Sequence, residues 1–360
     1  MPHYLSRRRF IQSTIIPAAL SAAPIAHASS AKPIRVGQIG TQHAHASGQL
    51  KTMLKYPQHF DVVGVVEPDP EVRRRIQQQA LYQDLTWMTE EQLLNANDLQ
   101  AVAVETHVRD LLPTAQRCVA AGMHIHLDKP AGVSFPSLQR LHQTAQDKNL
   151  TIQMGYMYRY NPAFQFIFQA AQDGWLGEIF EVHGVMSKKV GTTTRQQLAE
   201  FGGGSMFELG CHLIDPLFHL LGVPEQVTGF VRNTLPQQDN LADNVLSVFE
   251  YPRATATIRS SVVEVDGFRR RQFVVCGYEG TIIVRPLEPP VLELTLESAR
   301  GPYSKGTQKI QLPAAAGRYD GGWLDFARVI RGEKPHDFSH DHDLAVQHAL
   351  LTACKMSVTD

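Results

Sequence analysis

Short apolar segments alternate with amphipathic segments along residues 34–155, and this alternation limits the possible folds more than any other feature of the sequence. The apolar segments have the length and residue types of buried strands and lie at 34–40, 62–66, 101–104, 124–127 and 152–155. Helical spacing is present at 48–56 and 112–121. Strands that alternate with helices are typical of a parallel sheet covered by helices on both faces. The sequence therefore predicts an α/β domain with a doubly wound parallel sheet.

Beyond residue 160 the pattern changes to strands in series. The predicted strands lie at 179–186, 227–232, 245–251, 255–263, 273–277, 281–286 and 291–296, and the predicted helices at 162–173, 206–221, 323–331 and 341–357. Short turns between several of these strands indicate a mainly antiparallel sheet with helices on one face, which makes an α+β domain. We predict domains at 29–160 and 161–335, followed by a C-terminal helix at 336–360.

The first 28 residues have the composition of an export signal. Arg7, Arg8 and Arg9 precede an apolar stretch at 15–25 and an Ala-x-Ala cleavage pattern at 26–28. Residues 1–28 therefore resemble a twin-arginine signal. A short membrane anchor is the alternative, although the stretch is shorter than the roughly 20 residues of a spanning helix. We expect a mature protein that begins near Ser29, has no membrane segment, and is periplasmic or secreted.

The charge balance and the cysteine spacing exclude several classes of partner. Lys and Arg number 34 against 35 Asp and Glu, a net charge of −1, so no basic field is available for nucleic acid. Cys118, Cys211, Cys276 and Cys354 lie far apart, without a Cys-x-x-Cys pair. Because this spacing suits neither a zinc site nor a disulfide framework, we expect buried thiols.

The turn after the first predicted strand, residues 40–45, reads Gly-Thr-Gln-His-Ala-His. A dinucleotide fold has Gly-x-Gly-x-x-Gly there, because glycines allow a tight turn and close approach of the pyrophosphate. Only Gly40 matches, but the helix that follows still offers N–H groups to phosphate. Glu67 ends the second strand, where a carboxylate can bind a ribose and would repel the 2′-phosphate of NADP. The turn indicates either NAD binding or a plain βαβ connection.

Two further patterns place charged side chains at chemically useful positions. Lys129 follows the strand at 124–127, at the sheet edge where ligands bind, although a surface lysine before a turn is the alternative. In the predicted helix 206–221, Glu208, His212 and Asp215 are spaced i, i+4 and i+7 and share a face. A carboxylate one turn from a histidine can orient the imidazole as a general base, whereas a solvated helix face is the alternative.

Three segments, in this order and spacing, resemble the glucose-fructose oxidoreductase and inositol dehydrogenase family, Gfo/Idh/MocA. They are Lys129-Pro130, the sequence Gly-Tyr-Met-Tyr-Arg-Tyr-Asn-Pro at 155–162, and Glu-x-Gly-x-His-x-x-Asp at 208–215 after a glycine run. The resemblance extends over residues 34–357. It implies a Rossmann domain joined to an open-faced substrate domain, NAD(P) between them, and a sugar, cyclitol or related polyol as substrate. Because an open sheet face often packs against a copy of itself, we also expect a homo-oligomer.

The resemblance implies a role for individual residues. It makes Lys129 and His212 catalytic, with Glu208 in place of the family's aspartate. Residues expected to contact the cofactor, NAD rather than NADP, are Gly40, Thr41, Gln42, His43, Glu67, Thr106 and Lys129. Candidates for substrate binding are Arg159, Asn161, Lys188 and Asp215, although a helix start or surface packing is the alternative for the first three. No metal ligand is predicted. The departures are Gln42 and His45 at glycine positions, Asp128 in place of a glutamate, and Thr-His-Val at 106–108.

The expected reaction is oxidation of a secondary alcohol. His212, oriented by Glu208, accepts the hydroxyl proton while hydride leaves for nicotinamide, and Lys129 stabilises the charge on oxygen. Three alternatives stay open. The first is a glycosidase or lyase that oxidises a sugar transiently with a resident NAD, and the second is a non-catalytic saccharide-binding protein. The third is a metal-assisted enzyme that uses the helix face of Glu208, His212 and Asp215, with imidazoles from His43-x-His45 and His124-x-His126.

Overall fold

The structure is a computed structural model that describes residues 32–314 and 317–359. The twin-arginine segment predicted at 1–28 lies outside the described residues. The strands of the first sheet are β1 Ile34–Ile39, β2 Phe60–Val66, β3 Ala101–Val104, β4 His124–Leu127 and β5 Ile152–Met154. They run parallel in the order β2-β1-β3-β4-β5. This sheet confirms the parallel α/β prediction for the first domain.

Helices cover both faces of the parallel sheet. The helices in the described residues are α1 Ala46–Lys55, α2 Pro70–Ile76, α3 Glu90–Leu94, α4 Val108–Ala120, α5 Phe135–Asp147, α6 Pro162–Gln172, α7 Thr192–Leu198, α8 Cys211–Leu221, α9 Asp320–Ile330 and α10 His340–Ala353. Successive side chains of a strand point to opposite faces. In β3, Val102 and Val104 pack into the core that contains α4 and α5, whereas Ala101 and Ala103 pack with α1 and α9.

The second sheet has one buried and one open face. Its strands are β6 Ile179–Ser187, β7 Gln226–Arg232, β8 Asn244–Glu250, β9 Thr255–Ser261, β10 Gln272–Gly277, β11 Gly280–Leu287, β12 Pro290–Leu296 and β13 Gly306–Ile310. Their order is β13-β12-β11-β10-β6-β9-β8-β7, and neighbours are antiparallel except for the parallel pair β6 and β9. In β11, Ile282 and Val284 are buried and Ile283 is exposed. The predicted mainly antiparallel, open-faced sheet is confirmed.

One predicted domain assignment differs from the packing. The prediction places α9 in the domain 161–335, but Trp323 and Phe326 of α9 share a core with Leu50 and Met53 of α1. The ring of Trp323 stacks on His126 of β4, with centroids 4.9 Å apart. An apolar helix can pack on either core, and its sequence alone does not indicate which. The chain therefore returns to the first domain before it ends.

Residues 206–221 form two segments instead of the single α-helix predicted. A π-helical turn at Met206–Gly210 continues into α8. Gly204, just before the turn, has a φ of 47°, and a Cβ at this position would lie 2.2 Å from the carbonyl oxygen of Ala242. Glycine alone tolerates both conditions. The glycine run thus shapes the entry into the segment that carries Glu208 and His212.

The four cysteines are free, as predicted. Cys118, Cys211 and Cys354 are buried, whereas Cys276 is half-buried. Burial raises the pKa of Cys118 to about 12, so its thiol stays protonated at neutral pH. Among the described residues, no helix has the length and apolar character needed to cross a membrane.

Candidate active site

The turn between β1 and α1 brings Gly40 against the end of β3. Gly40 has a φ of 92°, and a Cβ at this position would lie 2.4 Å from the backbone nitrogen of Thr106. No larger residue satisfies both the conformation and the contact. The first glycine of the dinucleotide pattern is therefore required by the geometry of this turn.

Glu67, at the end of β2, binds the same turn. Its Oε2 accepts hydrogen bonds from the Thr41 backbone N–H at 2.9 Å and the Thr41 hydroxyl at 2.5 Å, and its Oε1 accepts one from Gln42 Nε2 at 3.2 Å. A cleft of about 480 Å³ lies beside these groups, and its lining includes Gly40, Gln42, Glu67 and Thr106. The structure thus brings most of the predicted cofactor residues to one cleft.

Lys129 extends from the end of β4 to the second domain. Its Nζ donates to the backbone carbonyl of Glu208 at 3.0 Å and lies 3.2 Å from Glu208 Oε1. Burial alone would lower the pKa of Lys129, but the Glu208 carboxylate outweighs burial and raises it. Burial alone would raise the pKa of Glu208, but Lys129 and Lys188 lower it. Both groups are therefore charged and form a shielded ion pair.

His212, in the first turn of α8, is not oriented by Glu208, so that prediction is wrong. Its Nδ1 is buried and has no hydrogen-bond partner among the described residues. Its ring centroid lies 6.2 Å from that of His45 and 5.9 Å from that of Tyr158. The π-helical turn changes the i, i+4 geometry on which the prediction depends. Burial, reinforced by the Lys129 ammonium, holds the pKa of His212 well below its usual 6.5, so the imidazole is neutral.

Arg159 and Asp215, both predicted to bind substrate, are bonded to each other in the core. Arg159 Nε lies 3.1 Å from each carboxylate oxygen of Asp215, and its terminal nitrogen also bonds Asp343. Neither side chain is exposed. A buried guanidinium needs carboxylate partners, and Asp215 and Asp343 supply them. Asn161 caps α6 by accepting the backbone N–H of Ala163 at 2.9 Å. The substrate-binding predictions for Arg159 and Asp215 are corrected to structural roles, whereas Asn161 also lines a cavity of about 490 Å³ and stays a prediction.

Lys188 is the predicted substrate residue that faces a cavity next to the Lys129–Glu208 pair. The cavity measures about 170 Å³, and its lining includes Gln42, His43, Lys188 and Glu208. Burial lowers the pKa of Lys188. In the part of the chain that the structure describes, its ammonium makes no hydrogen bond or ion pair. This half-buried cation is available to an oxygen of a small ligand.

Sequence reasoning missed two buried carboxylates beside Lys129. Asp128 Oδ1 accepts the backbone N–H of Lys129 at 2.7 Å and lies 3.0 Å from His45 Nδ1. Glu105 is fully buried, and burial together with Asp128 raises its pKa well above 4.5. Each follows directly after a strand of the parallel sheet, β3 or β4, and the carboxyl ends of neighbouring parallel strands meet at one edge. The position of each carboxylate directly after a strand is therefore the sequence signal by which both could have been found.

A parallel sheet with a cleft at its carboxyl edge, joined to an open antiparallel sheet, defines a nucleotide-binding α/β protein with a separate substrate domain. Residues 34–156 match the family model described as an oxidoreductase family with an NAD-binding Rossmann fold, and residues 164–283 match the GFO/IDH/MocA C-terminal domain. Together the matches cover about two thirds of the chain. The chain belongs to the Gfo/Idh/MocA family of oxidoreductases.

Individual relatives are distant. The uncharacterized oxidoreductase YhhX of Escherichia coli (strain K12) is 28% identical over 196 residues, which cover 54% of this chain and 55% of that protein. The scyllo-inositol 2-dehydrogenase (NADP(+)) IolW of Bacillus subtilis (strain 168) is 25% identical over 53% of this chain and 55% of its own length. The chain thus spans about half the length of these curated relatives.

Solved structures resemble the chain over more of its length. Levoglucosan dehydrogenase, in complex with NADH and levoglucosan, aligns with a TM-score of 0.77 at 18% identity and covers 90% of this chain and 98% of its own. A UDP-N-acetylglucosamine 3-dehydrogenase, GnnA from Acidithiobacillus ferrooxidans, aligns with a TM-score of 0.74 at 18% identity over 91% and 98%. These likenesses establish the two-domain fold.

Proposed function

We propose that the protein is an NAD-dependent oxidoreductase acting on a secondary alcohol of a sugar, cyclitol or related polyol. The observation that carries this proposal is the buried Lys129–Glu208 ion pair, which adjoins a cavity lined by Lys188 and lies near the neutral ring of His212. Such groups can bind a hydroxyl, stabilise negative charge on its oxygen and accept its proton. The names of the inositol and levoglucosan dehydrogenases support a substrate of this class.

The residues around the 480 Å³ cleft fit a nicotinamide dinucleotide. Gly40 allows the tight turn beside Thr106, and the first N–H groups of α1 lie beyond that turn. Gln42, Glu67 and Thr106 line the cleft and would hold the nucleotide, and Thr41 would position Glu67 by its two hydrogen bonds to the carboxylate. When bound, the nicotinamide supplies a hydride acceptor.

The charges in the cleft favour NAD over NADP. The carboxylates of Glu67 and Asp69 line it, and carboxylates repel a 2′-phosphate. Arg109 and Arg117 also line the cleft, but each forms an ion pair with a glutamate. We expect tighter binding of NAD than of NADP in calorimetric titrations, and Glu67→Gln to narrow the difference. Equal affinity in the wild-type protein would contradict the preference for NAD.

The chain's own residues divide the work of proton transfer. The Lys129 ammonium, held in place by Glu208, donates a hydrogen bond to the substrate oxygen and stabilises the negative charge that develops on it. His212 accepts the hydroxyl proton at a ring nitrogen, and Nδ1 is free of other partners among the described residues. Because the nitrogen is buried, the lowered pKa keeps its lone pair available at neutral pH.

The role of His212 is tested by substitution with a control on the same helix. We expect His212→Ala to lower kcat by about 10²- to 10⁴-fold, the usual contribution of a general base, with little change in the Kd for NAD. His219→Ala, at an exposed position of α8, should leave both constants close to wild type. Equal losses in kcat and in NAD affinity for His212→Ala would contradict the role as a base.

Net oxidation is tested by mixing the purified protein with NAD and a panel of sugars and cyclitols, and following NADH absorbance. Continuous formation of NADH is expected. Cleavage or elimination products without NADH would instead identify a glycosidase or lyase.

Export and self-association are proposed on the sequence evidence and on the open sheet, which exposes Ile283 and Val291. Replacing Arg7 and Arg8 with Lys should block export, as measured by cell fractionation. Light scattering of the purified protein should give a mass larger than that of one chain. Unchanged export or a monomer mass would contradict these proposals.

A further inference from the structure

We propose that His43, His45 and Asp128 form a binding site for one divalent transition-metal ion such as Zn²⁺. One side-chain atom of each residue lies within 4.8 Å of the other two. His43 Nδ1 is 3.1 Å from Asp128 Oδ2, and His45 Nδ1 is 3.0 Å from Asp128 Oδ1. Two ligands of a tetrahedral Zn²⁺ ion, at the usual bond lengths, are about 3.3 Å apart. This inference goes beyond the proposed function and does not depend on it.

Hydrogen bonding around His43 determines which ring nitrogen can bind a metal. Nε2 lies 3.0 Å from the carbonyl oxygen of Lys129, and because a carbonyl only accepts, Nε2 carries the proton. Nδ1 of the neutral ring then has a lone pair, in agreement with the backbone N–H of His45, which donates to it at 3.3 Å. That lone pair also faces the Asp128 carboxylate, an unfavourable contact unless a proton or a metal ion lies between them. Metal-binding histidines commonly donate their other N–H to a carbonyl in this way.

The same region contains two buried carboxylates without a lysine or arginine partner. Glu105 and Asp128 are both 0% exposed. Among the described residues, the ion-pair partners of these carboxylates are histidines, and neither oxygen of Glu105 has a hydrogen bond. Lys129 Nζ, the nearby ammonium, is bonded to Glu208. The Asp128 carboxylate is costly to bury without a counter-charge, and a dication bound to it would supply one.

Other residues hold the proposed ligands in place. Gln49 Nε2 lies 3.4 Å from Asp128 Oδ2, and Trp323 Nε1 donates to Gln49 Oε1 at 2.8 Å. Hydrogen bonds of this kind orient metal ligands. The two histidines stand in the β1–α1 turn, and His45 occupies the position of the third glycine in the dinucleotide pattern. At this position a glycine that suits a pyrophosphate is thus replaced by a side chain that suits a metal.

The proposed site adjoins the candidate active site. The 170 Å³ cavity is lined by His43 as well as by Lys188 and Glu208, and the ring of His45 lies 6.2 Å from that of His212. Two histidines and one carboxylate leave a coordination position for water or a substrate oxygen. The ligand set is typical of Zn²⁺ and of Fe²⁺, whereas Mg²⁺ and Ca²⁺ prefer oxygen ligands.

The experiment measures metal binding directly and needs no activity. Purified protein is stripped with a chelator, dialysed, and titrated with Zn²⁺ in competition with a chromophoric chelator. We expect one equivalent per chain, with affinity reduced at least about tenfold in His45→Gln and in Asp128→Asn. His124→Gln is the matched control, because His124 begins the other His-x-His pair but lies at the opposite end of β4. It should bind Zn²⁺ as the wild type does.

Titration with Co²⁺ provides a second measurement, because its visible absorption reports the ligands that it binds. The absorption should appear in the wild type and in His124→Gln and be lost in His45→Gln. Asp128→Asn preserves the size of the side chain, so it tests the site even if the histidine variant does not fold. The proposal is overturned if wild-type protein binds neither ion stoichiometrically, if both ligand variants bind as tightly as wild type, or if His342→Gln is the variant that abolishes binding.

Discussion

Two clusters of histidine and carboxylate side chains lie inside the part of the chain that the structure describes, and they differ in what balances their charge. The turn cluster contains His43, His45, Glu105 and Asp128, and the helix cluster contains Arg159, Asp215, His342 and Asp343. Each brings three potential metal-ligating atoms within 4.8 Å of one another. By residue type and spacing alone, either cluster could be mistaken for the other.

The helix cluster contains its own cation. The Arg159 guanidinium bonds both Asp215 and Asp343 and lies over the ring of Phe338, 3.9 Å from its centroid. It joins a 3₁₀ turn at Met157–Tyr160 to α8 and α10, so the cluster has a structural explanation without any ligand. In the described residues of the turn cluster, the carboxylates pair with histidines only. The presence of an internal cation therefore distinguishes the helix cluster, which is structural, from the turn cluster, which is a candidate ligand site.

The largest effect is expected from removing that cation. Arg159→Met leaves two buried carboxylates without a counter-charge, which typically costs about 3–5 kcal/mol. We expect this loss in the free energy of unfolding measured with urea at neutral pH. Arg253→Met is the control, because Arg253 pairs with Glu178 on the surface and exposed pairs contribute little. A loss below about 1 kcal/mol for Arg159→Met would show that another group balances the carboxylates.

A smaller effect, with a defined pH dependence, is expected for Asp215→Asn. Burial alone would raise the pKa of Asp215, but Arg159 and His342 together outweigh burial and hold the pKa below its usual 3.8. A carboxylate with a depressed folded-state pKa stabilises the protein above its unfolded pKa, and this contribution is lost as the pH falls through the folded value. We expect a cost of about 1–3 kcal/mol at pH 7 that shrinks below pH 3.8. A difference independent of pH would contradict the charged pairing.

Most of the fold could be predicted from the sequence because strand patterns are local. The predicted β3 at 101–104 matches the structure residue for residue. The helices α2, α3, α5 and α7 and the strand β13 were missed. Of these, α5 had a readable start, since Ser134 caps it and Pro136 lies in its first turn. The others are short and polar, and tertiary contacts determine whether such segments become regular.

The site was predicted less well because its contacts join distant parts of the chain. Lys129 was located correctly at a strand end, but its partner Glu208 lies 79 residues away. A π-helical turn adds a residue to a helical pattern without a clear sequence signal, so Glu208 was assigned to the wrong partner, His212. Arg159 was predicted to bind substrate, whereas its burial depends on two carboxylates from other helices, which the local sequence does not indicate.

The smallest effect is expected for Glu105→Gln in the turn cluster. Neither oxygen of Glu105 has a hydrogen bond among the described residues, so the amide loses no such bond, and burial together with Asp128 already favours the neutral carboxyl group by raising its pKa. In metal-free protein, we expect the free energy of unfolding to change by less than about 1 kcal/mol, or to increase. The measurement is urea unfolding in the presence of a chelator, compared with Asp215→Asn under the same conditions. A loss of about 3 kcal/mol or more would mean that Glu105 already has a counter-charge inside the protein. The two clusters would then be alike, and the argument that the turn cluster needs an external cation would fail.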